Sequence, residues 1–232
     1  MPGLFEYVLW FLSTLCDAAV VVCALKRGLF RRYLLLNMFM VSSILVSIER
    51  YETLSHYGFT SPQYLYVYFY SDALLSIFLY LALASLYAHV FSEMKVERYV
   101  RLGTILLLGG TALFSYAVLQ QSTARLVTRF VLELSQNLYF VGLVLTYILW
   151  GAILKLRETR TQLVQLVLSL GLYFSSFAAV YALGNLYQSA NAFLGLLTQV
   201  FDLILPLAWA YAFWRLPVDA RLVPSRLAVI PR

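Results

Sequence analysis

The chain has 232 residues, of which 62% are hydrophobic and only 12% charged, and its formal net charge is +6. A soluble domain would be about half apolar with about a quarter of its residues charged, so the composition excludes one and points to an integral membrane protein. The basic residues fall at four separate sites without a continuous stripe, which argues against nucleic acid as a partner and for anionic lipid headgroups.

Seven apolar stretches fill the chain: Leu4 to Leu25, Leu34 to Tyr51, Tyr64 to Phe91, Tyr99 to Leu119, Leu126 to Leu154, Leu163 to Tyr187 and Phe193 to Trp214. Each is close to the ~20 residues that cross ~30 Å of hydrocarbon at ~1.5 Å per residue. The expected fold is an all-α seven-helix membrane bundle over residues 1–214, followed by a basic cytoplasmic tail at 215–232 that contains Pro217, Pro224 and Pro231.

The first stretch is expected to be a retained helix and not a signal peptide. Its leading segment, Met1 to Tyr7, carries Glu6 and no Lys or Arg, and the basic cluster follows the span. Cys16 and Cys23 lie seven residues apart on it, about 10 Å along the axis and too far for a disulfide. The second stretch ends in Glu49 and Arg50, and the segment Glu52 to Gln63 after it, with Gly58 and Pro62, is the longest connection.

The third opens on Tyr64, Tyr66, Tyr68 and Tyr70, an alternation that would suit a strand. The apolar run continues for some twenty residues, so length favours a helix, with most of these rings, Tyr51 and Tyr57 in an interfacial belt and one or two turned inward. Small residues recur at helix-packing spacing: Ala73 with Ser76, Gly109 and Gly110, and Gly171, Ser175 and Ala179 at intervals of four. Such rows let backbones approach within one bundle or equally between two copies of the chain, so a homo-oligomer is open. The only intrahelical proline, Pro206 in the seventh stretch, is expected to kink that helix as a hinge and to free a backbone carbonyl.

Orientation follows from the basic residues. Fourteen of them lie at the first, third and fifth junctions and in the tail, whereas only Arg50, Arg125 and Arg129 lie on the other side. By the positive-inside rule the N-terminus is expected outside and the C-terminus in the cytoplasm.

Ionisable side chains in the hydrocarbon are the informative minority, because each costs about 2.5 kcal/mol or more unless paired, hydrated or protonated. Four qualify: Asp72 and Glu133 at a depth of roughly 10 Å, and Asp17 and Asp202 at roughly 15 Å, all between the outer face and the midplane. Gln136, Asn137, Gln199, Asn185 and Arg129 share that half, and Arg129 and Glu133 have the i,i+4 spacing of a helical ion pair. Two readings fit: an outward-facing polar pocket in which the acids attract a ligand, or interhelical hydrogen-bond glue. The shared depth on helices 1, 3, 5 and 7 favours the pocket.

No catalytic role, metal or cofactor is expected. His56 and His89 fall at opposite faces, and there is no HExxH, nucleophile elbow or phosphate loop. The seventh stretch has no lysine to link retinal. The end of the third reads Leu86-Tyr87-Ala88-His89-Val90-Phe91, without the acidic-Arg-aromatic triplet of class A G-protein-coupled receptors. In span number, orientation and loop length the chain resembles the compact seven-transmembrane regions of bacterial sensor proteins and their stand-alone relatives. That resemblance implies a receptor-like sensor in a bacterial cytoplasmic membrane, binding a small ligand and signalling through a separate protein partner. A cation or proton-coupled transporter and a non-catalytic anchor subunit of a larger complex are the alternatives.

Overall fold

A computed structural model describes residues 4–91, 97–119, 126–156, 160–186 and 191–217. Seven helices follow one another: α1 (Leu4–Lys26), α2 (Leu34–Tyr57), α3 (Pro62–Val90), α4 (Glu97–Leu119), α5 (Leu126–Leu156), α6 (Thr161–Leu186) and α7 (Asn191–Arg215). Over their described residues, all except α4 are long and apolar enough to cross a membrane, and the apolar stretch described in α4 is Leu102–Leu113. The chain therefore has the make-up of a multi-pass membrane protein. The tail from residue 218 onward lies outside the described residues.

Helix α2 runs six residues beyond its apolar stretch, into what the sequence presents as a connection. Buried Leu54 anchors this turn, and Thr53 Oγ1 donates to the Glu49 carbonyl at 2.8 Å, so its polar groups are satisfied along the helix. Gly58 stops it at φ 80°, a conformation that costs a glycine little, with its N–H on the Leu54 carbonyl. Ser61 then caps α3, accepting from the Tyr64 N–H at 3.1 Å, with Pro62 in the first turn where its missing N–H costs nothing.

The helices α1, α2, α3, α5, α6 and α7 close into a ring in which each touches the next and α7 returns to α1, while α4 lies outside against α3 and α5. Two ends are distinguished by contacts. At one, Trp10 meets Tyr51 and Arg50 reaches Ser71, joining the start of α1, the end of α2 and the start of α3. At the other, Tyr33 packs on His89 and Phe213, and Arg160 donates to the His89 carbonyl.

Trp209, Phe213, Leu166, Leu170, Leu83 and Leu86 fill the ring and are essentially inaccessible. Close approach is enabled by small residues. A Cβ on Gly142 would lie 2.3 Å from the Phe174 ring, and one on Gly171 would lie 2.9 Å from Thr146 Cγ2. Hydroxyls such as those of Thr146 and Ser175 return to their own backbone, at Gly142 and Gly171, each at 2.7 Å, which satisfies these donors in an apolar medium.

Candidate functional site

Asp72 is carried into the ring by the face of α3 that also buries Ser71, Ser76 and Tyr80. Its Oδ2 accepts from Ser135 Oγ of α5 at 2.6 Å. Ser76 Oγ lies 2.8 Å from Ser135 Oγ and also 2.9 Å from the Asp72 carbonyl oxygen one turn earlier. On α7, Asp202 Oδ1 accepts from the Tyr173 hydroxyl of α6 at 3.0 Å. Tyr139 of α5 packs beside Tyr173, the two ring centroids 6.3 Å apart. Its ring stacks on Phe177 at 5.0 Å and meets Tyr181 at 5.5 Å, so the aromatic side chains of α5 and α6 wall the polar groups.

Asp17, only 4% exposed, bonds Ser43 of α2 at 2.7 Å and feels the charge of Asp202 across the α1–α7 contact. Asp202 in turn feels Asp72 and Arg50. Pro206 adds a further acceptor. It has no N–H, so the Asp202 carbonyl four residues earlier loses its helical donor, and one residue presents both a carboxylate and a released carbonyl. One turn before Asp202, Gln199 has a buried Oε1 with no partner.

The cation facing these acids is Arg50, near the end of α2. Its Nε donates to Ser71 Oγ at 2.8 Å, Nη2 donates to the Tyr68 carbonyl at 3.1 Å, and the guanidinium lies 4.4 Å from the Tyr68 ring centroid. Its charge reaches both Asp72 and Asp202. Tyr68 is 41% exposed, so the cluster borders accessible surface. Tyr64 is buried while Tyr66, Tyr70, Tyr51 and Tyr57 are exposed, which divides the tyrosines between the interior and the bundle rim.

Of the expected site residues, Asp17, Asp72 and Asp202 thus lie near one another, and Gln199 sits one turn before Asp202 on α7. Asn137 turns the other way, its Nδ2 donating to Ser115 of α4 at 3.0 Å. Glu133, one turn before it, shares that helix face, roughly opposite Ser135 at ~100° per residue. Gln136 is partly buried on α5 between these faces. The side chains of Arg129 and Asn185 lie outside the described residues. Ser135, Tyr139 and Tyr173 carry no charge in the sequence to flag them, and Arg50 reads there as a rim residue.

Among the described residues, no group of three or more His, Cys, Asp and Glu is placed to hold a metal. A groove of about 370 Å³ between Thr146, Trp150, Gly171, Ser175, Ile204 and Ala208 is lined by none of the acids. Comparison with protein-family models, with curated proteins and with solved structures finds no match.

Proposed function

We propose that the chain is a receptor-like membrane sensor that takes a small ligand carrying a cationic group at the cluster of Asp72, Asp202 and Arg50. The observation that carries this reading is that acids from α3 and α7 face one arginine beside the partly exposed ring of Tyr68, with the α1 acid Asp17 on the far side of Asp202. Acids held in an apolar bundle with one facing cation among the described residues leave a negative site there, and a cationic ligand relieves that cost. The N-terminus lies outside and the C-terminus in the cytoplasm of a bacterial inner membrane, so the cluster opens outward.

Helix α7 carries the signal across. Asp202 sits one turn before Pro206, where the hydrogen-bond ladder is already interrupted, and the far end of α7 is gripped by Arg27, which donates to the Trp214 and Leu216 carbonyls. A ligand that binds one setting of α7 more tightly shifts the population toward it and changes the basic surface offered to a separate protein partner.

Purified protein in nanodiscs, screened by thermal shift against protonated amines and zwitterionic amino acids, tests the reading. A ligand should raise the unfolding midpoint by mass action, and the rise should vanish in Asp72→Asn/Asp202→Asn. Absence of any shift across both classes, or a shift that survives the double substitution, contradicts it. A proton or cation-coupled transporter is the second reading, favoured by the hydroxyl partners that Asp72 and Asp202 each hold inside the bundle. It requires flux in proteoliposomes, which a sensor does not produce.

A further inference from the structure

The groove at α6 lies apart from the acids, and its lining on that helix runs from Gln165 to Ser175. At ~1.5 Å per residue this is roughly 15 Å, one leaflet's share of ~30 Å of hydrocarbon. Leu168, Leu172 and Ile204 give it apolar sides, and the 38% and 53% exposure of the two leucines turns it toward lipid. Tyr147 Oη and Ser175 Oγ stand 3.5 Å apart at its deep end. Gly171 lets α5 approach α6 here, since a Cβ on it would lie 2.9 Å from Thr146 Cγ2.

An N–H without an acceptor points to an occupant. Trp209 Nε1 donates to the Leu166 carbonyl at 3.4 Å, whereas Nε1 of Trp150, on the α5 side of the groove, is buried with no hydrogen-bond partner. A buried indole N–H ordinarily has one. Depth identifies the acceptor. Helix α5 has 31 residues, ~46 Å against ~30 Å of hydrocarbon, so ~8 Å stands in the interface at each end. Trp150 comes six residues, ~9 Å, before the end at Leu156, which is the level of lipid ester carbonyls.

Charge points to the same occupant. Ile204 and Ala208 line the groove from α7, and at ~100° per residue Arg215 falls between them in angle, ~10 Å beyond Ala208 toward the interface. Arg215 is exposed, so a cation stands on the line of the groove at its interfacial mouth. A volume of about 370 Å³ over that length averages roughly 25 Å² in section, far narrower than a helix ~10 Å across. The space suits one hydrocarbon chain better than a helix of a second copy.

We propose that this groove is a site for one anionic phospholipid. An acyl chain lies along α6 between Leu172 and Ile204, its ester carbonyl accepts from Trp150 Nε1, and its phosphate meets Arg215. Basic positions beside grooves between membrane helices recognise anionic headgroups in this way. None of the acids takes part, so the site is independent of the ligand reading.

Native mass spectrometry of the full chain, released from detergent and titrated with phosphatidylglycerol or phosphatidylcholine, counts the lipids on each molecule. One phosphatidylglycerol should bind ahead of all later ones and ahead of phosphatidylcholine. Arg215→Gln should weaken that first event roughly tenfold and erase the headgroup preference, as loss of a hydrogen bond to a charged group does. Trp150→Phe removes the N–H and keeps a ring, and should weaken both lipids about threefold. Ala208→Leu fills the groove and should abolish the first event. Arg215 is exposed, so its variant keeps the test decisive where Ala208→Leu fails to fold. Graded uptake with no first lipid and no headgroup preference, or a first lipid indifferent to Arg215→Gln and Trp150→Phe, would overturn the proposal. So would a lipid-free mass of two chains that disappears in Ala208→Leu, which would assign the groove to a second copy.

Discussion

The Tyr173 hydroxyl donates to Asp202 Oδ1 at 3.0 Å, tying α6 to α7 one turn before Pro206. Tyr173 is buried, so water cannot replace the bond if the donor is removed. Tyr173→Phe should destabilise the protein by about 0.6–1.7 kcal/mol, the range of interhelical hydrogen bonds in membrane proteins. A double-mutant cycle with Asp202→Asn in reversible detergent unfolding should return most of that figure as coupling, whereas independent, additive losses would mean that the contact carries no energy.

Arg50 makes three different contacts with α3: a bond to Ser71 Oγ, a bond to the Tyr68 carbonyl and a stack on the Tyr68 ring. Lysine keeps the charge but has neither the planar fork nor the stacking surface. Arg50→Lys should therefore retain part of the stability lost in Arg50→Ala, for which about 2 kcal/mol is expected from two hydrogen bonds and one cation–π contact. Equal losses in the two variants would show that only the fork and stack matter and that the charge facing Asp72 and Asp202 does not.

Gly142 is a tight glycine contact among the described residues, because a Cβ there would run into the Phe174 ring, and Phe174 is 1% exposed. Gly142→Ala should cost about 1–3 kcal/mol as an overpacked core position, and Phe174→Leu should recover part of the loss. Gly110→Ala meets nothing within 4 Å and serves as the control, with a change of less than about 0.5 kcal/mol.

The two ends of the ring can be assigned to the two sides of the membrane by labelling. Ser55 is exposed at the α2–α3 end and Arg31 at the α1–α2 end. In a background without Cys16 and Cys23, a membrane-impermeant maleimide added to intact cells should label Ser55→Cys and spare Arg31→Cys. The reverse pattern would invert the orientation inferred from the fourteen basic residues.

The helices were legible because a bilayer leaves the chain so few choices. A continuous apolar run of ~20 residues without water to satisfy its backbone must be a helix, and basic flanks mark its ends. What misled the reading was the end of α2, where Glu52, Ser55 and His56 look like loop residues but the helix continues on one buried anchor, Leu54, until Gly58. At the site, charge was visible and direction was not. Asp72 and Asp202 stand out as acids in apolar runs, yet depth alone grouped them with Glu133 and Asn137, whose shared face of α5 leads to Ser115 of α4. The hydroxyls that meet the acids, Ser135 at Asp72 and Tyr173 at Asp202, belong to ordinary residues of apolar helices, and only their placement on facing helices makes them partners.

In the proposed sensor, Asp72, Asp202 and Arg50 form one negative site that opens to the outside beside Tyr68. Its most direct test is the reactivity of Tyr68→Cys, in a background without Cys16 and Cys23, toward membrane-impermeant methanethiosulfonate reagents of opposite charge applied from outside. Modification is expected, faster with the cationic reagent than with the anionic one, with a preference that falls in Asp72→Asn/Asp202→Asn. A cysteine that reacts only with a lipid-soluble reagent, or that reacts with no charge preference for the double substitution to remove, would contradict it.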